Sequence, residues 1–515
     1  MNILFVLYGD FHSNSANPLA LYARELQSRG HQCAVAVPGN VESVSEHESR
    51  TFIPVLYGDV LVSPESVFPD GRPADVIHAC TPREIVRHFV TSYMAKRPTP
   101  LVIYLEDNES WISKHELNFD EPALVRYSEK AIAEKLPVTL SHPFRYNSFI
   151  GLADAVAVIQ DKLKIEVPPW VRCETVMIGV DLDFFSPRPP DTSFIKKYGI
   201  VDGERIIVYH GGVDQFKSAA IESLCQAVAL INQSGIPCRL LRTGIRPLSF
   251  LSQWSHEAAS RISDLGILPR RDLPNLLSLA DVFVQPGKID PFEDLRLPGK
   301  VPEFLAMGRP VVMPDANISY LFEDGINAVF LRDGTAEEIA SKCKDLFADT
   351  VRANQIGRAG RLLAEKYFDV RSQARLFEDV YKAACSDFNS AIASAVWQSA
   401  DGDLRIALVL ARKLRLLANL LGVECRLNTA NLLRQYADNV AWMERRVIGL
   451  EKSVNERDSQ IATLHRATAQ RDEQIGALNC EMASVLSSRS WRITRPLRFV
   501  ARLARRVRDS LNRPA

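Results

Sequence analysis

The chain has 515 residues, of which 46% are hydrophobic and 24% charged, which is typical of a soluble globular protein and too long for a single core. Lys and Arg together number 62, as do Asp and Glu, so the chain as a whole has no polyelectrolyte character. The nine cysteines include no C-x-x-C pair, which argues against a disulfide framework or a zinc cluster and favours a reducing cytosol.

The N-terminal segment, MNILFVLYGDFH, predicts a buried strand. It lacks a basic n-region, and Asp10 cuts the apolar run short, so a secretory signal is not expected. The longest apolar stretch elsewhere, LRIALVLARKLRLLANLLGV, is interrupted by Arg412, Lys413 and Arg415. A membrane-spanning helix needs about 20 apolar residues, so we expect a soluble chain that can still lie against a membrane.

The first part of the chain alternates apolar strands with helical stretches, the pattern of a doubly wound parallel sheet. A helix is predicted before Gly30, which suits a helix C-terminus. Continuous apolar runs such as LVIYL are typical of parallel strands buried on both faces. The strands are predicted at 2–8, 33–37, 76–79, 101–105 and 155–159.

The same alternation restarts near Ile206 with RIIVY, followed by CRLLRTG, ADVFVQPG and PVVMP. Two such halves predict an α/β chain of two Rossmann-like domains, 1–185 and 186–385, that face each other across a cleft. The join, GVDLDFFSPRPP, is rich in Pro and polar residues, as inter-domain hinges often are.

Beyond residue 385 we predict a helical linker over 386–432 and a coiled coil over 433–487. Apolar residues recur there at steps of three and four for roughly seven heptads, and ERDSQIATL repeats as QRDEQIGAL two heptads later. The pattern predicts self-association through the coil. One long helix packed on its own domain is the alternative.

The last segment, 488–515, predicts a basic amphipathic helix. An apolar stripe runs opposite an Arg-rich face, which is typical of an interfacial helix on anionic lipid. The predicted membrane residues are Trp491, Arg498, Arg502, Arg505 and Arg506. A basic tail that binds another partner is the alternative, and no nucleic-acid recognition fold accompanies it.

The segment DPFEDLRLPGKVPEFLAMGRPVVMPDANI (290–318) resembles the retaining GT-B glycosyltransferases of glycosyltransferase family 4. Further similarity lies in SRGHQCAVAVP, in VIGVDLDFFSP and in LPNLLSLADVFVQPG, so it extends over most of both predicted domains. The resemblance implies the GT-B fold and transfer of a sugar from a nucleotide-sugar donor.

The resemblance also implies donor-binding residues. Glu303 matches the carboxylate that holds the nucleotide ribose, since a carboxylate accepts from both ribose hydroxyls. Leu295 stands where the family has a second Glu that contacts the sugar. We assign the diphosphate to positively charged and glycine residues, namely Lys300, Arg296, Lys217, Arg242, Gly211 and Gly212.

Acceptor-side candidates follow two strands of the first half. Glu106, Asp107 and Glu109 lie at the end of LVIYL, where bunched carboxyls favour a raised pKa or a role in orienting an acceptor hydroxyl. His78 is a third catalytic candidate beside Glu106 and Asp107. A solvated acidic loop and a core histidine are the respective alternatives.

The sequence therefore predicts a metal-independent, retaining glycosyltransferase without a cofactor. Asp181 and Asp183 form a D-x-D pattern, but they fall in the join, so no metal site is expected. Similar tails on bacterial cell-surface polysaccharide enzymes imply a lipid-linked saccharide acceptor and a cytoplasmic location at the inner face of the membrane. A degenerate scaffold and a two-domain sugar-nucleotide epimerase are the alternatives.

Overall fold

The protein is described by a computed structural model that divides into two compact units, Met1–Val423 and Glu424–Ala515. The described residues are 1–46, 51–117, 132, 134–143, 145–213, 217–245, 248, 254–290, 293–388, 390, 393, 396–397, 457, 461–463, 468, 470–471, 474–479, 481–484, 498, 501–502 and 505.

The first unit contains two parallel sheets, and the first of them has seven strands in the order β3-β2-β1-β4-β5-β6-β7. Its central strands are buried on both faces, which explains their uninterrupted apolar sequences. The strands are β1 (Asn2–Val6), β2 (Gln32–Val37), β3 (Ile53–Leu56), β4 (Val76–Cys80), β5 (Leu101–Leu105), β6 (Ala155–Val158) and β7 (Arg172–Thr175).

Among the described residues of the first half, five α-helices connect these strands. The first buries Leu19, Tyr22 and Leu26 on one face, as a helix packed on a sheet does. It ends just before Gly30, whose φ of +87° is the left-handed conformation that closes a helix. The helices are α1 (Ala16–Ser28), α2 (Tyr57–Val62), α3 (Glu84–Lys96), α4 (Glu109–Glu116) and α5 (Arg145–Gly151).

The second sheet has six parallel strands in the order β10-β9-β8-β11-β12-β13. They are β8 (Arg205–His210), β9 (Cys238–Thr243), β10 (Ile262–Asp264), β11 (Val282–Val284), β12 (Val311–Pro314) and β13 (Val329–Leu331). The accompanying helices are α6 (Thr192–Lys197), α7 (Ser218–Gln233), α8 (His256–Ser260), α9 (Leu273–Ser278), α10 (Lys300–Ala306), α11 (Ala336–Ala348), α12 (Thr350–Tyr367) and α13 (Val370–Asp387).

The chain passes between the two sheets twice at nearly the same place. The backbone N–H of Val180 donates to the carbonyl of Phe368 at 2.7 Å, and that of Val370 donates to the carbonyl of Val180 at 3.1 Å. A Cβ at Gly179 would lie 2.8 Å from the Cα of Val370, so only glycine allows the two passages to pack this closely.

After the second passage, α13 packs on the first sheet although it lies within the range predicted for the second domain. Its Phe377 contacts Tyr22 of α1 edge-on, with ring centroids 4.9 Å apart. Near the first passage, the Asp181 carboxylate accepts from Arg24 at 2.8 Å and from the backbone N–H of Phe184 at 3.0 Å. This carboxylate of the D-x-D pattern therefore stabilises the join.

In the second unit, the residues described between 457 and 484 are helical. Ile475, Leu478 and Met482 of the predicted heptad seam are 55–63% exposed. Most of the coiled-coil range 433–487 and of the basic segment 488–515 lies outside the described residues. Within the described part of the chain, no helix has the length and apolar character needed to cross a membrane.

Candidate functional site

The two sheets place their functional loops at their topological switch points. In each sheet, successive strands are added first to one side of the central strand and then to the other. This switch lies between β1 and β4 in the first sheet and between β8 and β11 in the second. Ligands of doubly wound folds bind outside the carboxyl ends of strands at such points. A ligand site is therefore expected at the loops after these four strands.

A cavity of about 890 Å³ lies between elements of the two halves. From the first half, one face of α4 contributes Trp111, His115 and Glu116. From the second half, the lining comes from β8, from the start of α7 and from the loops after β11 and β13. These residues are Tyr209, Lys217, Ala219, Ala220, Ile221, Ser223, Gln285, Pro286, Gly287, Lys288, Asp290, Glu293, Asp333, Gly334 and Thr335.

Positive charge collects at the second-half side of this cavity. Lys217 directly precedes α7 and belongs to the lining. Lys300 begins α10, and its Nζ lies 4.9 Å from the ring centroid of Tyr209, another lining residue. The helix dipole of α7 adds partial positive charge at its N-terminus. Lys217 thus borders the cavity, and Lys300 packs against Tyr209, which lines it.

Gly211 has a φ of +138° and lies directly against Lys300. A Cβ at Gly211 would lie 2.7 Å from the Cε of Lys300, so a larger residue there would displace the lysine. Gly212 is packed in the same way against Ile245, at 2.9 Å from a Cβ to Cγ1. The structure therefore gives the glycine pair a packing role beside Lys300.

Arg296 reaches the cavity through Glu293. Its Nη1 lies 3.1 Å from Oε1 of Glu293. Burial raises the pKa of Glu293, and the charges of Arg296, Lys217 and Lys300 oppose that rise. The charges of all three predicted cations therefore act on one carboxylate of the lining.

Glu303 is buried on α10 and is held by His210 and Arg270. Its Oε2 lies 2.7 Å from Nε2 of His210 at the end of β8, and its Oε1 lies 3.0 Å from Nη2 of Arg270. Arg270 and His210 lower its pKa to about 2 against the opposing effect of burial. Glu303 is therefore ionised at neutral pH, beside the cavity lining but not part of it.

His210 and Arg270 were not among the residues predicted from the sequence. His210 directly precedes the Gly211–Gly212 pair at a strand end, and that position could have identified it from the sequence.

Phe304 stacks on Phe283 of β11 with ring centroids 4.4 Å apart, which fixes the orientation of α10 and of Glu303.

Arg242 does not border the cavity, contrary to the prediction that it binds the donor. It lies in the interior of β9 with 0% exposure. Its Nη1 pairs with Asp264 at 2.8 Å, and its Nη2 donates to the carbonyls of Gly211 and Ile245 at 3.1 and 2.7 Å. Its charge fixes the loops after β8 and β9 and does not face a ligand.

In the first half, Glu106 follows β5 and meets the start of α1. Its Oε2 accepts from the hydroxyl of buried Ser15. Burial raises the pKa of Glu106 to about 7, with Ser15 opposing and Asp107 reinforcing the rise. A carboxyl with such a pKa suits proton transfer near neutral pH. Asp107 is the adjacent, half-buried residue.

Glu109 has a structural role in the same loop. Arg83 pairs with its Oε1 at 3.2 Å, and the hydroxyl of Ser141 donates to its Oε2 at 2.7 Å. The Arg83 guanidinium also lies 3.9 Å from the ring centroid of Tyr8. Glu106 is therefore the carboxyl of this loop that best suits chemistry.

His78 is a core residue of β4, which was the alternative to the predicted catalytic role. Its Nδ1 lies 2.7 Å from the hydroxyl of Tyr381 on α13, and the rings of Phe5, Tyr104 and Phe377 also contact it. Burial lowers its pKa to about 3. The imidazole is thus neutral and enclosed, and it does not reach the cavity.

Of the predicted membrane residues, Arg498, Arg502 and Arg505 are described. All three are helical; Arg498 is half-buried, while Arg502 and Arg505 are exposed. Trp491 and Arg506 lie outside the described residues.

Residues 204–349 match the model of the family described as glycosyl transferases group 1. This range contains the second sheet with Lys217, Lys300 and Glu303. The match supports a glycosyltransferase enzyme. Among curated proteins, none matches the chain.

Solved structures with the same architecture include HepE of Anabaena in complex with UDP-glucose. It has 16% sequence identity and a TM-score of 0.57, and the match covers 74% of this chain and 100% of HepE. A sucrose-phosphate synthase from Thermosynechococcus elongatus has 13% identity and a TM-score of 0.54, with 75% and 100% coverage. A glycosyltransferase from Rickettsia africae has 14% identity and a TM-score of 0.54, with 74% and 98% coverage.

At these identities the similarity concerns the fold. The two parallel sheets of this chain are those of GT-B proteins, and the predicted fold class is confirmed.

Proposed function

We propose that the protein transfers a sugar from a nucleotide-diphosphate sugar, with retention at the anomeric carbon and without a metal, as the resemblance to family 4 implies. The observation that carries the proposal is the cavity at the carboxyl ends of the two sheets, where Lys217 and Tyr209 belong to the lining and Lys300 packs on Tyr209. The UDP-glucose complex of HepE, which shares the fold, also supports a nucleotide sugar in this cleft.

The donor diphosphate would lie against Lys217, Lys300 and Arg296, with the N-terminus of α7 adding its dipole. Fixed positive charge stabilises the negative charge that develops on a leaving diphosphate. Glu303 would accept from the ribose hydroxyls. Its two oxygens already face His210 and Arg270, but each carboxylate oxygen has a second lone pair for a hydroxyl.

The acceptor hydroxyl would be oriented by Glu106 and Asp107. In the transfer step, the bond between the anomeric carbon and the diphosphate oxygen breaks. The acceptor oxygen bonds to the same face of that carbon, and its proton passes to the Glu106 carboxylate. The pKa of about 7 places Glu106 in the range where it can accept that proton.

We further propose that the acceptor is a lipid-linked saccharide of bacterial cell-surface polysaccharide synthesis, reached at the inner face of the cytoplasmic membrane. The Arg-rich segment 488–515 would bind anionic lipid, and the segment 433–487 would self-associate as a coiled coil. The exposure of Ile475, Leu478 and Met482 on helical residues supports the second point, because a heptad seam needs a partner to bury it.

A thermal-shift screen of the full chain with UDP-, GDP-, TDP- and CMP-sugars tests the donor proposal. A ligand that binds only the native state stabilises it by about 2.7 kcal/mol at a hundredfold excess over Kd. We expect a shift with one nucleotide class, strongly reduced in Glu303→Ala. No shift with any class would favour the scaffold alternative, and conversion of a nucleotide sugar without an acceptor would favour the epimerase.

A further inference from the structure

The loop after β6 in the first half contacts the segment that precedes α10 in the second half. The loop forms a short 3₁₀ helix, Asp161–Glu166, and the side chain of Gln160 caps it by accepting from the backbone N–H of Lys162 at 3.2 Å. The segment before α10 begins with another 3₁₀ helix, Glu293–Leu295. Two short helices from different halves therefore meet beside the start of α10.

Asp294 is held from the first half through both its side chain and its backbone. Nζ of Lys162 lies 2.5 Å from its Oδ1, and Nε2 of Gln160 donates to its carbonyl oxygen at 2.9 Å. The backbone N–H of Asp161 donates to the hydroxyl of Tyr320 at 3.2 Å. These partners are 132 to 159 residues apart in the chain, so the packing of the two halves brings them together.

The residues beside Asp294 belong to the donor side of the cavity. Glu293 lines the cavity and pairs with Arg296 at 3.1 Å. Gln160 is fully buried, so its hydrogen bond to the carbonyl of Asp294 is shielded from water. The first half thus holds, at Asp294, the segment that carries Glu293 and Arg296.

The neighbouring lysine of the same short helix shows that this contact is specific to one position. Nζ of Lys164 pairs with Asp161 at 2.7 Å, within the first half, whereas the ion pair of Lys162 crosses to the second half. Groups that face a ligand need support from behind, because small displacements weaken binding and catalysis strongly. Lys162 and Gln160 lie where they supply such support.

We propose that Gln160 and Lys162 are positioning residues for the nucleotide sugar. They hold the segment 293–299 in place beside the cavity, so that binding of the donor depends on both halves of the protein. Each acts through Asp294 and not through a contact with the donor. This inference rests on the proposed transfer from a nucleotide sugar.

The chain offers matched variants for this test. Lys162→Met removes the ion pair, and Lys162→Arg retains it. Lys164→Met is the control, because it removes the same charge from the same short helix and breaks a pair that stays within the first half. Asp294→Asn removes the ion pair from the other side, and its side-chain oxygen still accepts from the backbone N–H of Asn317, as Oδ1 does at 3.2 Å.

Amide hydrogen exchange of the ligand-free full-length protein measures whether the segment is held. In peptides that cover 293–299, we expect exchange roughly threefold faster in Lys162→Met than in the native protein, because the loss of a half-exposed ion pair favours local opening. Lys162→Arg and Lys164→Met should exchange as the native protein does. Equal exchange in the native protein and Lys162→Met would overturn the inference.

Calorimetric titration measures the consequence for the donor, with UDP-glucose or, if the screen selects guanine, with GDP-mannose. We expect roughly threefold weaker binding in Lys162→Met, and roughly tenfold or more when Gln160→Leu is added. Lys162→Arg and Lys164→Met should bind as the native protein does. In the Asp294→Asn background, Lys162→Met should weaken binding no further, because the partner of the lysine is already absent.

A purely structural contact would lower the melting temperature of Lys162→Met and leave its affinity for the nucleotide sugar unchanged, and that result would overturn the inference. An equal loss of affinity in Lys164→Met would overturn it as well, because the effect would then come from net charge. If the native protein binds no nucleotide sugar of the screen, the proposed function fails, and the donor role of Gln160 and Lys162 fails with it.

Discussion

The carboxylate of Glu303 lies 2.7 Å from Nε2 of His210, so this contact joins the helix that begins at Lys300 to the central strand that ends at His210. Arg270 completes the arrangement from the other side at 3.0 Å. The residue proposed to hold the ribose is therefore oriented before any ligand arrives, as preorganised sites require.

Glu303→Gln is expected to reduce stability at neutral pH by about 2 kcal/mol, because it leaves His210 and Arg270 without a charged partner. The native pKa of about 2 lies below the ordinary 4.5, so the stabilisation is present above pH 4.5 and is lost as pH falls toward 2. Urea denaturation of native protein and variant across this range measures the difference. If the difference in unfolding free energy between native protein and Glu303→Gln does not narrow toward pH 2, the lowered pKa assigned to Glu303 is wrong. Glu337→Gln, at an exposed position, is the control.

For Glu106, the pH dependence of stability has the opposite sign. Its native pKa of about 7 lies above the ordinary 4.5, so the folded state binds the proton more tightly, and stability contributed by this group falls as pH rises from 4.5 through 7. Glu106→Gln should remove that slope. The same variant should lower the rate of transfer by roughly 10²-fold or more, whereas the native rate should rise with pH and level off above about 7.

Donor turnover from pH 5 to 9, measured as nucleotide release, checks the activity part, and denaturation over the same range checks the stability part. The exposed Glu42→Gln of the same half should change neither. Retention of the native pH profile in Glu106→Gln would exclude a proton-accepting role.

Lys300→Ala is expected to lose nucleotide affinity, whereas Arg242→Met is expected to lose stability. Lys300→Ala removes a proposed diphosphate contact and is expected to weaken nucleotide binding roughly tenfold while the melting temperature is kept. Arg242→Met leaves the carbonyls of Gly211 and Ile245 without the guanidinium donor and Asp264 without its cationic partner, and should cost about 2 kcal/mol of stability. Calorimetry with the nucleotide found in the screen and thermal melting of each variant give the comparison. Normal stability of Arg242→Met would contradict the structural role of Arg242.

The basic segment is tested with vesicles. Replacing Arg498, Arg502 and Arg505 with Ala removes about 1 kcal/mol of attraction to anionic lipid per Arg, which amounts to a loss on the order of a hundredfold in binding. Flotation with phosphatidylglycerol-containing vesicles measures this, and phosphatidylcholine vesicles are the control. Equal flotation of native and substituted protein would exclude the membrane role.

The strands that the sequence predicts best are those buried on both faces. LVIYL predicts β5 with the bounds that the structure has, because both faces of the strand are apolar. Strands β3 and β7 lie at the two edges of the first sheet, and their residues are half-buried or exposed. RCET lacks an apolar run, and IPVL contains a proline, which argues against a strand in the middle of a sheet, so neither strand was identified from the sequence.

The position of Glu106 at a strand end was predictable, because a charged residue directly follows the apolar run of β5, while its role in chemistry stays a prediction. The roles of residues whose contacts are set by long-range packing were not predictable from the sequence. Arg242 is in the right loop region by sequence, but its guanidinium turns into the sheet to meet Asp264. Residue spacing also could not separate Glu293 from Asp294, whereas the structure pairs Asp294 with Lys162 of the first half and places Glu293 in the cavity lining beside Arg296.

The return of α13 to the first sheet has a consequence for how the chain becomes folded. Tyr22, His78 and Tyr104 all contact Phe377 or Tyr381. Phe377 follows Tyr104 in the chain by 273 residues (377 − 104), so the ribosome makes α13 long after the strands that it covers. A fragment that stops at residue 185 would expose this aromatic surface to water. Limited proteolysis or truncation before α13 should therefore release an aggregation-prone first half, and the shortest fragment expected to fold alone extends through Asp387.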